Sequence, residues 1–97
     1  MRSYYSAYVR HCIRYYVRYP EPDFRSEAER LDWMACDNVF SDMGSAEAIV
    51  REIYLAGKDE LPEKIKEIAA RENVPRTQLW KLVNEVEEEV AKNRGLR

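Results

Sequence analysis

Five polar side chains stand close together near the start of a helix-like segment in the last third of the sequence. They are Arg76, Thr77, Gln78, Lys81 and Asn84. Residues three and four apart share one face of a helix, so Thr77, Lys81 and Asn84 are expected to point the same way. Arginine and lysine contact phosphates or guanine, asparagine pairs with adenine, and the first turn of a helix favours phosphate. The set predicts contact with double-stranded DNA, with an ordinary polar surface as the alternative.

A helix-turn-helix is needed to present these side chains, and residues 66–83 have the expected pattern. Ala69 is small enough to let two helices approach, and Asn73 suits the left-handed backbone of a tight turn. Val74 is expected to fill the corner between the helices. The second helix then buries an apolar stripe of Leu79, Leu82, Val83, Val86 and Val90. This spacing is typical of motifs whose second helix enters the major groove, although two helices can pack this way without binding DNA.

A bulky residue and an acidic run adjoin the predicted reading face. Trp80 is expected either to pack beneath the preceding helix or to form an exposed anchor for a protein partner. Glu85, Glu87, Glu88 and Glu89 put four acids into five positions, which indicates a solvated helix end. Because such acids repel phosphates, only the first turns of this helix are expected to enter a groove. Trp80, Glu85 and Glu88 are also candidate contacts for a protein partner.

The first predicted helix, residues 2–18, has an apolar side and a basic side. Its apolar positions are Tyr5, Tyr8, Val9, Cys12, Ile13, Tyr16 and Tyr19. Arg10, Arg14 and Arg18 recur every four residues on the opposite side. They favour either a solvated basic surface or a surface that contacts phosphates or an acidic partner.

The second predicted helix begins near Asp23 or Ser26 and ends at Gly44. Its predicted inner stripe comprises Phe24, Ala28, Leu31, Ala35, Val39 and Met43, widened by Cys36 and Phe40. The acids Asp32, Asp37 and Asp42 spread around the helix, which favours a solvated acidic surface over a catalytic pair or a metal-binding loop.

Helical periodicity continues to the end of the sequence, and no strand-like alternation occurs. We therefore expect an all-α fold of about five helices in a single domain, residues 1–97. Residues 1–57 would form an N-terminal three-helix part. Residues 61–94 would form the helix-turn-helix with its long recognition helix.

The composition argues against an enzyme and against a membrane protein. With one histidine, three glycines and two cysteines, the chain offers no catalytic Ser-His or Cys-His pair, phosphate-cradling glycine loop or metal-ligand spacing. We expect no cofactor and no metal, with Cys12 and Cys36 as buried, reduced thiols. No apolar run approaches the roughly 18 residues of a membrane span, so a cytoplasmic location is expected.

The net charge of −2 conceals an uneven distribution. Residues 1–19 carry four arginines and no acid, whereas residues 20–60 carry eleven acids against four bases. Residues 61–97 are nearly balanced, with eight bases against seven acids. A protein that binds nucleic acid over its whole surface is basic throughout, and this chain is not. Any DNA contact must therefore come from local basic patches.

The segment from about Ala46 to Leu96 resembles the C-terminal promoter-reading domain of bacterial sigma factors, and the small sigma-like regulators of phages and mobile elements. The resemblance rests on residues 49–54 (IVREIY), 67–74 (EIAARENV) and 77–82 (TQLWKL). The ending at 90–96 (VAKNRGL), with 15–18 (YYVR) and 32–36 (DWMAC), is similar to such proteins from Gram-positive bacteria. The resemblance implies DNA contact by the five polar residues named first, and contact with RNA polymerase.

Two hypotheses from different classes follow. The first is a small sequence-specific DNA-binding regulator of transcription from a phage or mobile element, acting as a monomer or homodimer. The alternative is a phage-encoded inhibitor or adaptor, of the kind that blocks a host or defence protein, which uses the acidic and Trp80 surface and does not read DNA.

Overall fold

Five α-helices form the protein over the residues that the computed structural model describes, 6–20 and 23–96, and those ranges contain no β-strand. The helices are α1 (Ser6–Arg18), α2 (Glu27–Ser41), α3 (Glu47–Leu55), α4 (Leu61–Glu72) and α5 (Arg76–Arg94). Short 3₁₀ turns, Gly44–Ala46 and Lys58–Glu60, lead into α3 and α4. The predicted all-α fold is confirmed. Tyr5 and the rest of residues 2–5, predicted as helical, lie outside the described residues.

Local signals in the sequence account for several helix ends. The Ser26 hydroxyl accepts a hydrogen bond from the Glu29 backbone N–H at 3.2 Å, which caps the start of α2. The Glu29 carboxylate accepts a hydrogen bond of 3.1 Å from the backbone N–H of Arg25. In a standard capping box it would accept from the N–H of Ser26 instead. Gly95 ends α5 with φ of +81°, an angle that side-chain-bearing residues rarely adopt. α2 ends at Ser41, with Asp42 as its C-cap, and so stops before the predicted end at Gly44. Gly44 has φ of +64° and begins the following 3₁₀ turn.

One hydrophobic core joins the N-terminal and C-terminal halves of the chain. α5 packs against α1, α2 and α4, while α3 packs against α1 and α4. The largest fully buried side chains include Tyr54, Phe40, Ile13, Ile53 and Ile65. The two halves therefore contribute to one continuous core. No helix in the described part of the chain is long and apolar enough to cross a membrane.

The buried face of α2 differs from the predicted stripe. Leu31 is 39% exposed and Phe24 is also exposed, whereas Ala35, Cys36 and Phe40 are buried. Trp33 is half-buried and packs against the core, with its ring 5.1 Å from that of Tyr16 on α1. The helix is rotated so that the side bearing Cys36 and Phe40, rather than the one bearing Leu31, faces the neighbouring helices.

Two acids of α2 support this rotation. Asp32 accepts hydrogen bonds from the Tyr8 hydroxyl at 2.6 and 2.7 Å and from Nε of Arg94 at 2.6 Å. Asp37 accepts one from the Tyr16 hydroxyl at 2.8 Å. The prediction of solvated acids is wrong for Asp32 and Asp37, which are half-buried and bonded to other helices, and holds for the exposed Asp42.

Candidate functional site

The turn between α4 and α5 sets the direction in which α5 leaves the core. Asn73 has φ 55° and ψ 47°, the left-handed conformation predicted for it. The backbone N–H of Val74 donates to the Ala69 carbonyl at 3.0 Å, which closes the end of α4. Val74 packs partly against the core, and Ile68 and Ala69 are buried beneath it. The sequence-predicted helix-turn-helix geometry is therefore present.

All five sequence-predicted DNA contacts lie on the exposed side of α5 or at its start. Arg76, Thr77, Gln78, Lys81 and Asn84 are exposed. Thr77, Lys81 and Asn84 form a row at spacings of four and three residues, opposite the buried Leu79 and Val83. Among residues 6–20 and 23–96, Arg76 and Lys81 take part in no salt bridge, so both charges are available to a ligand.

The start of α5 leaves backbone donors open beside these side chains. Pro75 occupies the N-cap position and supplies no side-chain hydrogen bond. The first N–H groups of a helix have no partner within the helix, and they carry its positive dipole end. Arg76 and Thr77 therefore begin a helix whose end is electropositive.

Other bases near the turn are already neutralised. Arg71 donates to both carboxylate oxygens of Glu52 on α3, at 2.7 and 2.8 Å, and to Glu72 at 3.0 Å. Hydrogen bonds to these two carboxylates hold the pKa of Arg71 above its ordinary value. Arg71 thus ties α4 to α3 and adds little positive potential to the surface around α5.

Two positions were considered for Trp80, one packed and one exposed, and the structure has the packed one. The side chain is half-buried and lies against the hydrophobic core. Trp80 therefore anchors the start of α5 to the core and does not form an exposed anchor for a protein partner.

The acidic run divides into buried and exposed residues. Glu85 and Glu89 are exposed and Glu88 is half-buried, but Glu87 is fully buried. Oε2 of Glu87 accepts hydrogen bonds from Nε of Arg10 at 2.7 Å and from the Tyr54 hydroxyl at 2.6 Å. The prediction of a solvated run is therefore wrong at Glu87. Its spacing could have revealed this, because Glu87 continues the stripe that contains Val83 and Val90.

The three arginines of α1 have three different environments. Arg10 is paired with the buried Glu87, and the Arg18 guanidinium lies 3.4 Å from the Leu55 carbonyl oxygen. Arg14 is half-buried, and its Nε is buried without a hydrogen-bond acceptor among the described residues. Burial, together with the charges of Arg10 and Arg18, lowers the pKa of Arg14. Two of the three arginines in the predicted basic face are therefore paired with a buried acid or half-buried, and the face is not fully solvated.

A groove that sequence reasoning missed runs along α5 where it faces α2 and α3. It consists of two adjoining cavities of about 340 and 450 Å³ that share Ala46, Leu82 and Glu85. Its apolar lining residues are Val39, Met43, Ile49, Val74, Leu79 and Val86. Its acids are Asp42, Glu72, Glu85 and Glu89, and Lys81 stands at one end. The groove joins elements distant in sequence, so no local pattern indicates it.

Within the described residues, no three His, Cys, Asp or Glu side chains are arranged to hold a metal ion. The two cysteines are buried and not joined in a disulfide.

No family model matches the chain, and neither a curated protein nor a solved structure is significantly similar to it.

Proposed function

We propose that the protein binds double-stranded DNA through the first two turns of α5 and acts as a sequence-specific regulator of transcription. The observation that carries the proposal is the exposed row of Thr77, Lys81 and Asn84, which begins directly after the tight turn at Asn73. A recognition helix uses its N-terminal residues to reach base edges in the major groove. The resemblance to sigma-like regulators of phages and mobile elements supports a role in transcription, with RNA polymerase as the protein partner.

Each side chain has a distinct role in this proposal. Arg76 and Thr77 contact phosphates at the groove edge, where the open N–H groups of α5 assist them. Lys81 and Asn84 face the base edges, and Gln78 lies beside them. The exposed Glu85 follows directly along the helix, so a duplex must approach the N-terminal end of α5 at an angle.

Fluorescence anisotropy with labelled duplexes over a salt series tests this proposal. Binding should weaken steeply with salt, and Arg76→Ala and Lys81→Ala should each reduce the slope of log K against log salt by about 1. Lys92→Ala is the matched control, because Lys92 lies on the same side of α5 three turns later and beyond the acids. A duplex affinity that changes neither with salt nor with Lys81→Ala would rule out DNA reading by α5.

The acid-rimmed groove favours a second candidate, a module that binds a protein segment. Its apolar lining and its four acids suit an amphipathic helix with leucine-like residues on one face and lysine or arginine at the margins. An inhibitor or adaptor acting on a host protein fits this description.

A synthetic helix with leucines on one face and lysines at the margins tests the second candidate. The same peptide with glutamates in place of lysines is the control. Binding of only the lysine peptide, lost in Glu89→Lys and retained in Lys81→Ala, supports a groove partner. Equal binding of both peptides excludes recognition by the acidic rim.

A further inference from the structure

A second basic site lies on α1, away from the candidate reading face. A cleft of about 510 Å³ opens between α1 and the 3₁₀ turn that begins with Lys58. Arg10, His11, Arg14, Arg18 and Lys58 contribute to its walls. Within residues 6–20 and 23–96, no acidic side chain lines the cleft, and none of the five α5 residues proposed to contact DNA does so.

The positive charges in this cleft are incompletely compensated. Arg10 donates to the buried Glu87, which also accepts from Tyr54, and among the described residues the partner of Arg18 is the neutral Leu55 carbonyl. Arg14 has no hydrogen-bond acceptor for its buried Nε among the described residues. Oε1 of Glu87 is also buried and has no hydrogen-bond partner among the described residues, so Glu87 does not satisfy the Nε of Arg14.

Bringing several guanidinium groups together in a half-buried cleft costs free energy through mutual repulsion and lost hydration. An anion in the cleft offsets both costs. Among common anions, phosphate groups match the guanidinium fork best, because two oxygens accept two parallel N–H bonds. Lys58, an exposed residue of the lining, adds an ammonium group to the three guanidinium groups.

We propose that this cleft binds a phosphate group through Arg14, with Arg10, Arg18 and Lys58 around it. The ligand carries at least two negative charges, as a pyrophosphate or a phosphorylated small molecule does. The same chemistry could be supplied by the DNA backbone, which the experiment distinguishes. The site is independent of the reading of DNA by α5.

Inorganic pyrophosphate is the probe, added to the full chain labelled with ¹⁵N at constant ionic strength. The Nε–Hε signal of Arg14 should shift in a saturable manner, and that of the exposed Arg25 should not. The melting temperature should rise with pyrophosphate, since a ligand that binds only the folded state stabilises it. Arg14→Gln should weaken pyrophosphate binding roughly tenfold, the effect of losing a charge-assisted hydrogen bond.

Two further variants keep the test decisive. Arg25→Gln removes the same charge elsewhere and should leave pyrophosphate affinity unchanged. Lys58→Gln alters an exposed position and should weaken pyrophosphate binding several-fold. It therefore tests the proposal even if Arg14→Gln does not fold. Equal stabilisation of wild type, Lys58→Gln and Arg25→Gln, or no shift of the Arg14 signal, overturns the proposal.

Duplex binding by the same variants identifies the source of the phosphate. If Arg14→Gln binds duplex like wild type while Arg76→Gln does not, the cleft serves a free phosphorylated ligand. If Arg14→Gln weakens duplex binding as much as Arg76→Gln does, the small-ligand assignment is overturned and the phosphate belongs to the DNA backbone. Failure of all duplex binding, with pyrophosphate binding intact, removes the proposed DNA function and leaves this site.

Discussion

Oε2 of Glu87 lies 2.7 Å from Nε of Arg10, although 77 residues separate the two in sequence. Glu87 is fully buried, whereas the Arg10 side chain is 32% exposed. The same carboxylate oxygen accepts a hydrogen bond from Tyr54 on α3. This contact fixes the rotation of α5 about its own axis. The exposed row of Thr77, Lys81 and Asn84 is therefore held outward by a buried acid about one turn beyond Asn84.

Removal of Arg10 is expected to destabilise the protein more than removal of Glu87. Arg10→Met leaves a buried carboxylate with Tyr54 as its remaining donor, which costs about 3 kcal/mol. Glu87→Leu costs less, because Arg10 can turn toward water. The double variant should recover part of the loss relative to Arg10→Met. Urea denaturation measures all three free energies of unfolding.

Arg30→Met is the control for that series, because the Arg30–Glu27 pair lies within one exposed helix turn and should matter little. If Arg10→Met and Arg30→Met lower the free energy of unfolding equally, the buried Arg10–Glu87 pair stabilises the protein no more than an exposed pair does.

Stability should fall as the pH rises above the ordinary tyrosine value of 10.0. Burial and the charge of Glu87 raise the pKa of Tyr54 well above that value, and burial with the bond to Asp37 raises the pKa of Tyr16 to about 12. Above pH 10 the unfolded chain loses phenolic protons that the folded state retains. The folded state then binds more protons, so the free energy of unfolding decreases with pH.

Urea titrations at increasing pH measure this dependence. Tyr54→Phe and Tyr16→Phe should each flatten it, whereas Tyr19→Phe, at an exposed position, should leave it unchanged. A pH dependence that is the same in all three variants contradicts the assignment to buried phenols.

Substitution at Asn73 should separate backbone conformation from side-chain contacts. Because Asn73 has positive φ, Asn73→Ala should lower the free energy of unfolding by about 1 kcal/mol. Asn73→Gly should be neutral or slightly stabilising. Asn38→Ala, at an exposed position inside α2, provides the control and should not destabilise. If alanine and glycine at position 73 behave alike, backbone strain is not the reason for asparagine there.

The two cysteines should react slowly with thiol reagents in the folded protein. Burial raises the pKa of Cys12 to about 12 and that of Cys36 further above its ordinary value. Since only the thiolate attacks such reagents, both thiols should be protected near neutral pH and should react once urea unfolds the chain. Rapid reaction of either thiol in native buffer would contradict the buried positions.

Helix content and the α4–α5 turn could be predicted because their causes are local. Helical periodicity, the Asn73 turn and the cap at Ser26 each depend on residues close together in sequence. The exposed face of α5 could be predicted as well, since it is the complement of the stripe that contains Leu79 and Val83. All of these features repeat the sequence pattern directly.

The environments of charged residues could not be predicted, because their partners are distant in sequence. Asp32 bonds to Tyr8 and Arg94, which lie 24 and 62 residues away, so its burial is invisible in the periodicity of α2. The burial of Glu87 follows from its spacing along α5, but its partners Arg10 and Tyr54 are 77 and 33 residues away and could not be identified from that spacing. The cleft at Arg14 joins α1 to the turn at Lys58, and the groove at Leu82 joins α5 to α2 and α3, so only the folded chain brings their walls together.

The shared core has a consequence for synthesis of the protein on the ribosome. α5 supplies Leu79, Val83 and Val86 to a core that also contains residues of α1 and α2. Translation proceeds from the N-terminus, so Ile13 and Phe40 emerge long before α5 can cover them. The apolar side chains that α5 covers therefore lack that cover until α5 has been synthesised, and native packing awaits its arrival.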